Sequence, residues 1–344
     1  AAAVAGDTVQ VLPGTYDECV NTGAKGLAIV ADDSNPSLDA ADFIIDGGAL
    51  CTPVVLGGNS ALDGFTVRNG GDSGIRAFGA VSITNNIITG NTAPEYGGGL
   101  YVYADAGGGY YFAYGDVDIT VEDNTITGNT AAGDGGGAYL WSSSSGNAQS
   151  NITFQRNSIT GNALAGPPTD PNIVSSHGGG VSAWTSTGVF ATAGIVISQN
   201  TIEGNSADYG AAYYAYGGGV FAQTYGFGSD SITIADNLIN NNTVDGDGAG
   251  VSAWMFGDSG VAQSHSMTLT SNTITSNAAT DNSGGLDLFV SAADLRVGTN
   301  LSLSAQRNVM RLNSAVASGG GGAVLMYLDD NDNDNNPATT TRVT

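Results

Sequence analysis

NTITGN (residues 124–129) carries an asparagine at each end, and near-copies return as NNIITGN (85–91), NSITGN (157–162) and NTIEGN (200–205). Aligned on the first asparagine, the copies place Asn86, Asn124, Asn157, Asn200, Asn237, Asn272 and Asn308, at steps of 38, 33, 43, 37, 35 and 36 residues. A second asparagine follows five residues later each time, as Asn91, Asn129, Asn162, Asn205, Asn242, Asn277 and Asn313. Self-similarity at such a period is the mark of a repeat architecture rather than of two globular domains.

Before each first asparagine lies a period-2 apolar pair: Val81/Ile83, Ile119/Val121, Ile152/Phe154, Ile195/Ile197, Ile232/Ile234, Met267/Leu269 and Leu303/Ala305. Two residues after it comes a further apolar residue: Ile88, Ile126, Ile159, Ile202, Ile239, Ile274 or Met310. Alternation of this kind, rich in β-branched residues, predicts half-buried strands. A second strand follows each glycine cluster, as in GGGLYVY, GGGAYLW, GGGVSAW and GGGVFAQ. One repeat is therefore two or three short strands joined by tight turns, closing on itself in about 20–25 residues, with the surplus bulging out as loops. Stacking successive turns about 4.8 Å apart predicts an all-β, single-stranded, right-handed parallel β-helix (a β-solenoid). Asparagine tolerates the left-handed backbone of a sharp corner, and its amide can donate to one neighbouring copy and accept from the other. The fourteen asparagines are accordingly read as structural ladders.

Residues 1–80 are less regular. GDTVQVLPGTYDE (6–18), GLAIVADD (26–33), FIIDGG (43–48), VVLGG (54–58) and LDGFTVRNGG (62–71) read as shorter coils of the same helix. The expected organisation is a β-helix over 1–328, with seven repeats in 81–328, and an acidic Asp/Asn-rich tail or linker over 329–344. About ten to twelve coils make a rod roughly 50 Å long.

GDTVQVLPGTYDE followed by DGFTVRNGG resembles the opening coils of pectin-lyase-like right-handed parallel β-helix proteins. GGAYL (136–140), GGAVL (321–325) and FQRN (154–157) resemble the GGA[ILV] and FxxN elements of polymorphic outer membrane protein repeats. VEDN, ISQN, IADN and LTSN are versions without the Phe. The resemblance covers about residues 6–327. It implies the fold, and a fold that hosts lyases, hydrolases, epimerases, adhesins and passive stalks does not imply one activity.

Charge narrows the partners. Eight Lys and Arg stand against 32 Asp and Glu, a formal charge of −24, and Lys25 is the single lysine. Such a surface repels nucleic acid, acidic polysaccharides and anionic lipid heads, and attracts cations. No run of 18 apolar residues is present to span a membrane. Cys19 and Cys51 are 32 residues apart, close to one repeat. A disulfide between neighbouring coils is then expected, and with it an exported, extracellular or cell-surface setting. The chain opens almost directly on a strand and no capping helix is seen, so end-to-end association into a fibre is a further expectation.

Catalytic readings find little footing. Asp116, Asp118, Glu122 and Asp123 are the densest acidic group within a repeat, with no equivalents in adjacent coils to line a cleft. Arg156 and Arg307 each precede a ladder asparagine and read as corner decoration. His177 and His265 are placed far apart in different loops, with no Cys or Ser positioned as a partner. The second strand carries the better candidate. Tyr101, Tyr103, Tyr139, Trp141, Trp184, Phe221, Trp254 and Phe289 point away from the core, and the three tryptophans share one slot of the repeat. Exposed rings in a row mark a ligand or interface surface, for sugar rings or for a dry protein contact, unless the long loops fold over them. In the tail, Asp330, Asp332 and Asp334 alternate like half of a calcium-binding loop, without its glycine or distal glutamate. The reading is a non-enzymatic structural or adhesive β-helix with Ca²⁺ and a glycan or surface partner as candidate ligands. A polysaccharide-active enzyme or a carbohydrate-binding module is the alternative.

Overall fold

The structure, a computed structural model, describes residues 2–32, 34–107, 115–165, 175–208, 214–257, 264–291, 300–316, 324–329 and 340–343, the last two segments as backbone. The chain forms a right-handed parallel β-helix, and every strand pairing among the described residues is parallel. Each coil visits three long faces in turn. The first is an eleven-stranded sheet running from Thr8–Val11 to Thr340–Val343, and the second a ten-stranded sheet from Gly14–Asp17 to Val309–Arg311. The third is a ten-stranded sheet from Val20–Asn21 to Val324–Asp329. A seven-stranded turn sheet, Thr92–Ala93 to Ser314–Ala315, lies between the second and third. The strands of the N-terminal coils join the same long sheets.

Register holds coil after coil. Ile83 stacks on Val121, Val121 on Phe154, Phe154 on Ile197, Ile197 on Ile234 and Ile234 on Leu269. A slip of one residue would turn every apolar side chain outward, so this column enforces its own alignment. On the second face Ile88, Ile126, Ile159, Ile202, Ile239 and Ile274 are completely buried. Each such isoleucine contributes about 1.5–3 kcal/mol of transfer free energy.

The two asparagine columns run lengthwise through the corners. Asn124 shows the pattern: its Nδ2 donates to Asn157 Oδ1 at 3.0 Å and to the Ile83 carbonyl at 2.9 Å. Its Oδ1 accepts from the amide and the Nδ2 of Asn86, both at 3.0 Å. The second column repeats this from Asn91 to Asn313. Both columns also reach back one coil, where Phe65 and Gly70 donate their amides to Asn86 and Asn91.

The corner backbone differs from the sequence expectation. The left-handed residue is not the ladder asparagine but the one before it: Asn85, Asp123, Arg156, Gln199, Asp236, Ser271 and Arg307, with φ of 55–57°. Placing the turn one residue early leaves the asparagine free to aim its amide inward along the axis. The glycine cluster serves a different need. A Cβ on Gly137 would stand 2.6 Å from the Gly180 carbonyl oxygen and 3.0 Å from Asn162 Nδ2. Only glycine lets two coils and the ladder meet there.

Candidate functional site

The outward side of the third sheet is built from two columns. The first holds Arg76, Tyr101, Tyr139, Ser182, Phe221, Ser252 and Asp287, and the second Phe78, Tyr103, Trp141, Trp184, Gln223, Trp254 and Phe289. All alternate with buried aliphatics such as Leu100, Val102 and Leu140, so every predicted ring does face away from the coil axis. Facing outward is not the same as being exposed. Tyr139 is 3% exposed and Phe221 fully buried, while the other six are half-buried.

What covers them is a second layer. The residue before each glycine cluster forms its own column, comprising Tyr96, Asp134, His177, Tyr216, Asp247 and Asn282, linked by the amides of the following glycines. Three of these positions lie on a small flanking sheet, Ser175–His177, Tyr214–Tyr216 and Gly246–Asp247. The Tyr96 ring stacks on Tyr139 at 5.0 Å, and the His177 ring lies 4.3 Å from Phe221. Ring contacts then run along the face: His177 to Trp184 at 5.3 Å, Trp184 to Phe221 at 5.2 Å, Phe221 to Trp254 at 5.2 Å and Trp254 to Phe289 at 5.8 Å. Trp254 also meets Tyr216 edge to face at 4.6 Å. Edge-to-face and tilted pairs of this kind stabilise by about 0.5–1.5 kcal/mol each beyond area burial.

Carboxylates stand in this layer and in the first column of the third sheet. Asp134 Oδ1 accepts from the His177 amide at 2.8 Å and lies 2.9 Å from His177 Nδ1. Asp247 accepts from the Asn282 amide at 2.7 Å. Asp287 accepts from Ser252 Oγ at 2.8 Å and from Trp254 Nε1 at 3.4 Å. Burial pushes Asp247 above the usual carboxylate range; the Asn282 amide partly offsets this, and the charges of Asp287 and Asp281 add to it. Burial raises Asp287 as well, against its bonds from Ser252 and Trp254. The Tyr216 hydroxyl is pushed up to about 12, by burial first and then by the charges of Asp247 and Asp287. Burial holds Tyr139 well above its ordinary value, with the Asp134 charge adding to it. At the N-terminal end of the face, the Arg76 guanidinium stands 4.7 Å over the Tyr101 ring and pairs with Asp72 at 2.7 Å.

The remaining candidates fall elsewhere. His177 and His265 are strand residues, where loop positions were expected, and each has a carboxylate neighbour. His265 is fully buried inside the coil, 3.1 Å from Asp230 of the preceding coil, to which Thr187 Oγ1 also donates at 2.6 Å. Sequence spacing hid both pairs because their partners are one repeat away, 35 and 43 residues distant. Asp116, Asp118, Glu122 and Asp123 lie outside the coil: Asp118 accepts from Asn151 Nδ2, and Arg156 bridges Glu122 and Asp123. Cys19 and Cys51 are joined by a disulfide between neighbouring coils, with Cα atoms 6.4 Å apart. Asp330, Asp332 and Asp334 lie outside the described residues. Among the described residues no group of three or more His, Cys, Asp or Glu side chains is placed to hold a metal. No helix among them is long and apolar enough to cross a membrane.

Chemically, the third face offers flat rings, a hydroxyl and carboxylates, of which Asp247 is half-buried and Asp134 and Asp287 are buried. No family model, curated protein or solved structure matches the chain.

Proposed function

We propose that this chain is a structural and adhesive β-helix, a rigid rod exported to the cell surface or beyond, which docks a partner along the aromatic side of its third sheet. The observation that carries the reading is the column of outward, half-buried rings Tyr103, Trp141, Trp184, Trp254 and Phe289, broken once by Gln223 and flanked by carboxylates. Rings in this position gain from contact with sugar faces or with an apolar protein surface. The Cys19–Cys51 bond supports an oxidising compartment. The resemblance of the glycine and FxxN motifs to surface-protein repeats supports display on a cell.

A glycan array of neutral polysaccharides, run beside a reducing-sugar assay, tests the reading. Binding without turnover, weakened by Trp141→Ala and Trp184→Ala, is expected. No binding to glycan or protein surface, or binding untouched by both substitutions, would overturn it. The second reading, a polysaccharide-active enzyme, draws on one observation: Asp247 and Asp287 are both raised carboxyls beside rings, the condition of a general acid. Release of reducing ends, lost in Asp287→Asn, would favour it instead.

A further inference from the structure

The third face treats its acids unevenly. Near the N-terminal end the protein supplies its own cation: Arg76 lies between the Asp72 carboxylate and the Tyr101 ring of the next coil. A guanidinium there is held by charge on one side and by a π-face on the other. Farther along the same face the two halves of that arrangement recur. Tyr216 and Asp247 are register neighbours on the flanking sheet. The Trp254 ring packs 4.6 Å from Tyr216 and directs its Nε1 at Asp287. Tyr214, beside Tyr216 at 6.5 Å, leaves 64% of its surface open. Among the described residues, no lysine or arginine pairs with Asp247 or Asp287. Asp247 is held by Asn282, whose amide donates to it, and Asp287 by the Ser252 hydroxyl and the Trp254 indole, all of them neutral donors.

From this geometry we infer that the Tyr216–Asp247–Trp254–Asp287 region is a receptor for a guanidinium group, presented by an arginine-bearing segment of a partner polypeptide. The site completes with an external cation what Arg76 completes internally. Charge complementarity selects such a partner: the chain carries −24 overall, and the half-buried Asp247 and buried Asp287, with no basic neighbour among the described residues, gain from one. Arginine is favoured over lysine because its planar fork can stack flat on Tyr216 or Trp254 while bonding a carboxylate bidentately, whereas an ammonium has neither plane nor fork. The inference rests on the third face being the docking face, and gives that face a partner chemistry.

The test titrates the intact protein with a blocked hexa-arginine peptide, and in parallel with hexa-lysine, at physiological salt, reading tryptophan emission and heat. The double variant Asp247→Asn, Asp287→Asn is compared with Asp118→Asn, Asp236→Asn, which removes the same charge from exposed positions. The site variant is expected to lose arginine-peptide affinity by about tenfold or more, and the control by about twofold or less. Hexa-lysine is expected to bind more weakly and to be indifferent to Tyr216→Leu, which keeps both carboxylates and guards against loss through misfolding. Equal losses in the two double variants, or equal binding of both peptides, would overturn the inference. A neutral glycan that binds the same face while the peptide result fails would sink the guanidinium site alone and leave the docking face standing.

Discussion

Replacing Asn162 in the middle of its column separates the ladder account from one in which asparagine merely suits a corner. Its Nδ2 donates to the Ile126 carbonyl at 2.9 Å and to Asn205 Oδ1 at 3.0 Å. Its Oδ1 accepts from the amide and Nδ2 of Asn129, both at 3.0 Å. Asn162→Ala removes all four. Asn205 Oδ1 still accepts from the Asn162 amide at 3.0 Å, and Asn129 Nδ2 still donates to the Ile88 carbonyl at 2.9 Å. The Asn129 amide loses its acceptor. At about 1 kcal/mol per bond, the expected loss is roughly 2–4 kcal/mol. Asn162→Asp preserves shape but turns a donor into an acceptor, setting a buried anion against two oxygens. It should cost more than alanine at neutral pH and recover part of the loss in acid. Urea unfolding gives the size. Because repeat arrays open locally, hydrogen exchange gives the place: the Asn129 amide should lose protection before distant coils do. Thr160→Ala, an outward neighbour, should stay within about 0.5 kcal/mol. If Asn162→Asp unfolds like the parent and the Asn129 amide stays protected, the ladder contributes nothing and the reasoning fails.

Three further outcomes follow from the same geometry. Asp287 has a raised folded pKa, so its protonation favours the fold: its contribution is present at acid pH and is lost as pH rises through the folded value. Asp287→Asn should therefore raise the melting temperature at neutral pH and lose that advantage in acid, as pH-resolved melting would read. Reduction of Cys19–Cys51, which closes a separation of 32 residues, should lower stability by about 3–4 kcal/mol on the chain-entropy account, measured by unfolding with and without reductant. Gly137→Ala and Gly128→Ala test space against torsion. The first meets backbone at 2.6 Å and should destabilise by roughly 1–3 kcal/mol, whereas the second meets nothing within 4 Å but keeps φ at +63°. Gly128→Asn should be the milder of the two changes at that site, since Asn241 occupies the equivalent corner at φ 53°, and thermal melts would rank them.

The coil was legible because its demands are local and repeat: an inward isoleucine, a corner asparagine and a close-packed glycine each recur at one spacing. The orientation of the aromatic row was legible for the same reason, since Trp141 and Leu140 must face opposite ways on a strand. Its burial was not. Tyr139 and Phe221 are covered by Tyr96 and His177, which arrive from a neighbouring turn and another strand. The signal lay in the residue before each glycine cluster, where Tyr96, Asp134, His177, Tyr216, Asp247 and Asn282 form a column as regular in position as the asparagines. Their side chains differ, so no repeated letter exposed it. The left-handed corner positions were hidden likewise, because Asp123, Arg156, Gln199 and Ser271 share a backbone shape and nothing else.

The most direct test of the in-register coil is a ladder of distances along the second face. Thr89, Thr127, Thr160, Glu203, Asn240, Thr275 and Arg311 form one outward column, each stacked on the next. Spin labels at Thr89→Cys paired in turn with Glu203→Cys, Thr275→Cys and Arg311→Cys should report separations rising in equal steps of about 4.8 Å per coil, to about 29 Å at six coils. Separations that fail to rise linearly with coil number would contradict the stacked β-helix and everything placed on it.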